Sequence, residues 1–142
     1  MKEWIHFDKK KWPPGPWKKE PDLAVWVYKN YHCRIERGEY GAFCGYVSVP
    51  PGHPLFELNN NDIKKRYPEL RCHGGITHTE SELVSNEKIG WWIGFDCNHA
   101  TDIAPLKEPF YSGQVYRNFQ YVKNETESLA QFLEMVEKKE IT

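Results

Sequence analysis

Six residues in the second half of the chain carry most of its chemical potential: His73, His78, Asp96, Cys97, His99 and Asp102. Asp96, His99 and Asp102 are spaced three apart, so a helical turn beginning at residue 96 would present all three on one side. A carboxylate, an imidazole and a second carboxylate could bind zinc or manganese, or could orient His99 as a general base. The same spacing fits a structural turn, with Asp96 capping the residues after a strand, His99 bonding to backbone and Asp102 facing solvent. If residues 71–79 form a regular strand, His73 and His78 point to opposite faces and cannot share a metal. Only a bulge at Gly74-Gly75 would rotate them together. Asp96 shares a face with Gly94 and Trp92, and the missing side chain at 94 is expected to leave space beside the carboxylate.

Other chemistries lose their main support. The chain has no HExxH zinc helix, no GxxxxGK[ST] phosphate loop and no GxGxxG fingerprint, which removes the standard metalloprotease, P-loop and dinucleotide readings. Cys33, Cys44, Cys72 and Cys97 form no CxxC pair, so free thiols are expected in a reducing compartment. A zinc site from Cys72, Cys97 and either His73 or His99 is disfavoured, because neighbours on a strand face opposite ways. Cys97 has a histidine two residues on, but a thiol in an apolar strand is usually buried and inert.

These groups need a scaffold to position them. Residues 22–49 read as an antiparallel meander, LAVWVY, HCRIE and GAFCGYVSV, with Arg37-Gly38-Glu39 as its plainest turn. Asn61 or Asp62 could cap a short helix ending before Pro68. Residues 71–79 and 89–97 carry the β-branched and aromatic residues of two further strands. Val115, Phe119, Val122, Thr126, Leu129, Leu133 and Val136 recur at helical intervals, which predicts one helix over 114–138, with Ser112 as a cap and Lys138 and Lys139 at its negative end. A strand at 115–122 before a shorter helix also fits the partial alternation there. Residues 1–21, with six lysines, four prolines and Trp4, Trp12 and Trp17, form a non-helical arm expected to lie across the domain and bury its indoles. Residues 22–142 are read as one α+β domain.

Composition bounds the function. The 142 residues carry 19 Lys and Arg against 20 Asp and Glu, a net charge of −1, which removes the bulk attraction of proteins that grip nucleic acid through its backbone. No apolar run is long enough to span a membrane or to serve as a secretory signal, so a cytoplasmic location is expected.

The strings HGGITH at 73–78, WWIGFDCNHATD at 91–102 and GYVSVPPGHPLF at 45–56 resemble a family of small tailed-bacteriophage and prophage accessory proteins, with a pattern close to HGG[IL]T[YS] and GFDC[AN]HxxD. The likeness spans about residues 40–136 and departs at His78, where the pattern has tyrosine or serine. The resemblance implies a phage accessory protein acting in the host cell cytoplasm, and makes a sponge for the nucleotide signals of bacterial immunity a candidate.

The fold expected is an antiparallel sheet of about four or five strands with the long C-terminal helix packed on it. The ligand-binding set is His73, Asp96, His99, Asp102, Trp92, Arg71 and Arg117. Trp91, Trp92 or Phe95 would stack on a base, Arg34, Arg71 or Arg117 would meet phosphate, and Asp96 or His99 would read hydroxyls or base edges. The alternative is a small hydrolase, a metal-dependent phosphoesterase for instance, using His73, Asp96, His99 and Asp102. The sequence leaves the cofactor and any metal open. A homodimer is expected, with the helix stripe as its seam.

Overall fold

The computed structural model describes residues 1–138; Lys139 lies outside the described residues. Its elements, in chain order, are β1 (Lys2–Trp4), β2 (Leu23–Tyr28), β3 (Tyr31–Arg37), β4 (Phe43–Val49), α1 (Asn60–Arg66), β5 (His78–Val84), β6 (Glu87–Asp96) and α2 (Phe119–Glu137). The strands form one antiparallel sheet in the order β1-β2-β3-β4-β6-β5. The α+β architecture is therefore the one expected, with six strands. The additional edge strand comes from the N-terminal arm, where Lys2–Trp4 pairs with Leu23–Val25.

Two hairpins close through two-residue turns, Lys29-Asn30 and Ser85-Asn86, with positive φ at all four residues. Such turns match the right-handed twist of the strands they join. Along β3, Tyr31, Cys33, Ile35 and Arg37 are buried and alternate with His32, Arg34 and Glu36. The buried set faces α2, whose Val122, Thr126, Leu129, Ala130, Leu133 and Val136 are all buried and which packs on β3 and β4. Gly45 on β4 permits this approach, because a Cβ there would run into Thr126 and the Phe95 ring.

The predicted helix stripe is thus covered by the chain's own sheet, so it cannot be the seam of a dimer. The helix also starts later than the periodicity suggests. Asn118 is its N-cap, its side chain accepting from Tyr121 N–H at 2.8 Å, in place of Ser112. Val115 instead lies beside Asp102 in a parallel bridge, giving its N–H to Thr101 and accepting from Ile103. The cap of α1 falls on Asn59, two residues before the earlier of the two expected positions.

The arm is tied down by buried charge. Asp22 is fully buried and accepts from Lys9 Nζ at 2.6 Å, Arg37 Nε at 2.7 Å and the backbone N–H groups of His6 and Phe7. Glu20 accepts from Tyr116 and from the Phe119 N–H at the start of α2, which stabilises a helix N-terminus. Trp17 is buried against Phe110 and Tyr116, whereas Trp4 stays exposed.

Candidate functional site

Residues 71–77 are not a strand: β5 begins only at His78. Gly74 and Gly75 both have positive φ, 69° and 82°, a conformation that glycine adopts without steric penalty. Cys72 accepts the Gly75 N–H, so the chain turns tightly here. The turn sends His73 and His78 to different places. His73 packs beside the N-terminal turn of α2, and His78 stands on the sheet face that α2 leaves uncovered.

His73 belongs to a hydrogen-bonded array behind the sheet end. Its Nε2 lies 2.9 and 3.0 Å from the two oxygens of Asp102, and its Nδ1 lies 2.8 Å from the Tyr121 hydroxyl. An ionised carboxylate only accepts, so Nε2 carries a proton, which leaves Nδ1 for the Tyr121 hydroxyl. Asp102 also accepts from Arg117 Nε and from the His99 backbone N–H, each at 3.1 Å. Burial alone would push the Asp102 carboxyl up; the bonds from His73, the His99 backbone and Arg117 outweigh it and hold the group below the usual range. Asp102 thus does not face solvent, as one reading of the 96–102 spacing expected. Its side chain is fully buried.

Asp96 and His99 lie on the cavity side. Asp96 accepts from Thr77 Oγ1 at 2.9 Å and from the Asn98 N–H at 3.0 Å, so it does cap the turn after β6. His99 Nε2 is 3.5 Å from Asp96 Oδ1. Together with Thr77, His78, Tyr46, Cys44, Asn98 and Glu39 they line a cavity of about 450 Å³ at the end of the uncovered face. Among the described residues the His99 ring has no hydrogen-bond partner, and its Nε2 is buried. The His73 and His99 rings stand 5.7 Å apart, the wall between the two groups of residues.

The expectation that His73, Asp96, His99 and Asp102 share one ligand therefore divides in two: Asp96 and His99 line the cavity, while His73 and Asp102 brace it. The space expected beside Gly94 is filled by the Tyr46 ring, which a Cβ at 94 would strike. Trp92 is buried on the uncovered face, 6.4 Å from the Tyr46 ring. Arg71 is elsewhere, its guanidinium donating to the Pro68 carbonyl. Arg117 is taken up by Asp102 and by the Tyr121 ring, 5.1 Å from its guanidinium. Neither arginine lines the cavity.

Sequence reasoning missed the place of Tyr121, and of Arg34, named there as a phosphate contact, it missed the surroundings. Tyr121 was seen only as part of a helix, although its place three residues after Asn118, one turn into α2, is a usable signal. Arg34 lies between Tyr46 and Trp92, 5.0 and 4.7 Å from their rings. No local pattern reveals a stack built across three strands.

Among the described residues no three His, Cys, Asp or Glu side chains come together as a metal site. All four cysteines are free, and burial pushes the Cys44 thiol up to about 11 and Cys97 further, so neither is a thiolate nucleophile at neutral pH. No helix of the described residues is long and apolar enough to cross a membrane. Compared with known proteins, the chain matches no family model, no curated protein and no solved structure.

Proposed function

We propose that the protein is a small-ligand-binding protein whose ligand, of nucleotide type, seats in the cavity between Tyr46, His78, Asp96 and His99. The observation that carries this reading is the His99 ring, which lines the cavity with no hydrogen-bond partner among the described residues. Its Nε2 is buried against Gly74, so what a ligand meets is the remainder of the ring, in a side chain 36% exposed at the cavity wall. Asp96 and Glu39 supply acceptors for the N–H edge of a base or for sugar hydroxyls, and the two imidazoles can donate to an anionic substituent. The resemblance to phage accessory proteins extends the proposal to a phage-encoded sponge, sequestering a nucleotide immune signal in the host cell cytoplasm. The hydrolytic alternative has less behind it. Both nitrogens of His73 are engaged, and no ligand set for a metal forms among the described residues.

Titration of the purified protein with a panel of mono-, di- and cyclic nucleotides, with product analysis of each mixture, tests the proposal. Asp96→Asn and His99→Ala should each weaken binding by about 0.5 to 3 kcal/mol while the melting temperature holds. Accumulating product, abolished by the same variants, would establish the hydrolase instead. Binding unchanged in both variants would remove the cavity from consideration.

A further inference from the structure

The N-terminal arm carries an apolar and basic patch just beyond β1, the edge strand of the sheet. Ile5 is 62% and Phe7 41% exposed, and with Lys9, Lys10 and Lys18 they line a depression of about 420 Å³. The patch is held in place. The His6 and Phe7 N–H groups both bond to the buried Asp22 carboxylate at 3.0 Å, and Lys9, itself buried, bonds to the same carboxylate. Lys18 belongs to the short turn Pro16–Lys18, anchored by the buried Trp17. Exposed apolar residues scattered singly need no explanation, but two that a pinned backbone keeps together in water, rimmed by cations, mark a surface for a partner.

We propose that this patch docks the protein on an anionic lipid bilayer, with Ile5 and Phe7 entering the headgroup region and the lysines around them meeting lipid phosphate. The charge of the segment complements such a surface: Lys2, Lys10, Lys11, Lys18 and Lys19 are exposed, against the exposed acids Glu3 and Asp8. The chain as a whole carries −1, but at about 0.15 M salt a charge acts over only about 8 Å, so the local excess decides. The kind of cation points the same way. Residues 1–21 contain six lysines and no arginine. Arginine, with its bidentate fork, is the cation of protein interfaces and of nucleic-acid phosphates, and lysine is depleted from protein interfaces. A diffuse anionic surface needs only point charges on long apolar stems. Ile5, the most exposed apolar residue of the arm, has no ring to stack on a base.

Docking of this kind lies on a bilayer and does not span one. Trp4, 43% exposed at the end of β1, adds at the same edge a residue type that settles at the membrane–water interface. The patch shares no residue with the cavity of Tyr46, His78, Asp96 and His99. The docking therefore stands apart from the nucleotide reading.

Co-sedimentation of the full chain with vesicles of phosphatidylcholine mixed with phosphatidylglycerol, and with vesicles of phosphatidylcholine alone, at about 0.15 M salt tests it. The mixed vesicles should bind the protein at least about tenfold more tightly than the neutral ones. Lys10→Glu and Lys18→Glu should each weaken that binding about fivefold or more. Lys65→Glu makes the same charge change at an exposed position of α1, beside β5 at the opposite edge of the sheet, and should alter it by less than about twofold. Ile5→Ser should weaken binding about fivefold with the melting temperature unchanged, because residue 5 is exposed. No sedimentation with the mixed vesicles, an Ile5→Ser variant that binds as the parent does, or an equal loss in Lys65→Glu overturns the proposal. Binding of single-stranded RNA without binding of vesicles would make the patch a nucleic-acid surface and overturns it as well.

Discussion

The Nε2 atom of His73 lies 2.9 Å from Asp102 Oδ2, joining residues 29 positions apart in the chain. The carboxylate it meets is fully buried and also holds Arg117 and the His99 backbone. The cavity wall therefore depends on a side chain that does not touch the cavity.

Asp102→Ala should cost about 1 to 3 kcal/mol of stability, since it removes the acceptor shared by the part-buried His73 ring, Arg117 and the His99 N–H. Tyr121→Phe removes one neutral hydrogen bond from the same ring and should cost about 0.5 to 1.5 kcal/mol. Urea unfolding of both variants and of the double variant checks this. Coupling near zero in that cycle would mean the array is not one unit.

Gly74→Ala and Gly75→Ala separate backbone strain from side-chain overlap. Both residues have positive φ, so each substitution carries a cost of about 1 to 2 kcal/mol. Only at Gly74 would the new Cβ strike the His99 ring; at Gly75 nothing lies within 4 Å. Gly74→Ala should therefore be the less stable variant and should displace His99, read as a change in its imidazole NMR signals that Gly75→Ala does not produce.

The fold was more legible than the site, and the reason is range. The LAVWVY, HCRIE and GAFCGYVSV segments carry local alternation, and the stripe from Phe119 to Val136 carries local helical spacing, so β2–β4 and α2 follow from neighbouring residues. Val115 fits the stripe by spacing alone, but its backbone is used in a bridge to the 101–103 segment, which spacing cannot show. The HGGITH segment fits a strand by composition until its two glycines adopt positive φ. Of the 96–102 residues, the proximity of Asp96 to His99 follows from a three-residue interval. The capture of Asp102 by His73 depends on where a distant turn comes to rest.

Leu129→Asp tests the packing of α2. Leu129 is fully buried against the sheet, and an unpaired carboxylate there loses apolar contact and desolvates a charge, at a cost of about 3 to 5 kcal/mol or more. That approaches the whole stability of an ordinary domain, about 5 to 15 kcal/mol. The variant should melt far lower or fail to fold, as followed by circular dichroism. Met135→Asp, at an exposed position of the same helix, should melt near the parent.

Acid should destabilise the protein in two stages. His53 Nδ1 accepts the Leu55 N–H while Nε2 donates to the Leu133 carbonyl, a pattern that only the neutral ring can satisfy. Burial pushes its pKa down, against opposing contributions from the Leu133 carbonyl and the Glu137 charge. The unfolded chain takes up this proton near pH 6.5 and the folded protein only at lower pH. Stability is therefore complete above about 6.5 and falls below it, by at most about 1.4 kcal/mol per pH unit for one proton. Asp22 and Asp102 follow: burial raises both carboxyls, but their hydrogen bonds and cationic partners hold them below the ordinary range. Their stabilisation is full above about pH 4 and is lost as the pH drops through their folded values. Urea midpoints measured from pH 8 to pH 3 should fall first below about 6.5 and more steeply below about 4. His53→Gln should be less stable at pH 8 and flatter between 6.5 and 5, and an unchanged slope there would assign the first stage to another histidine.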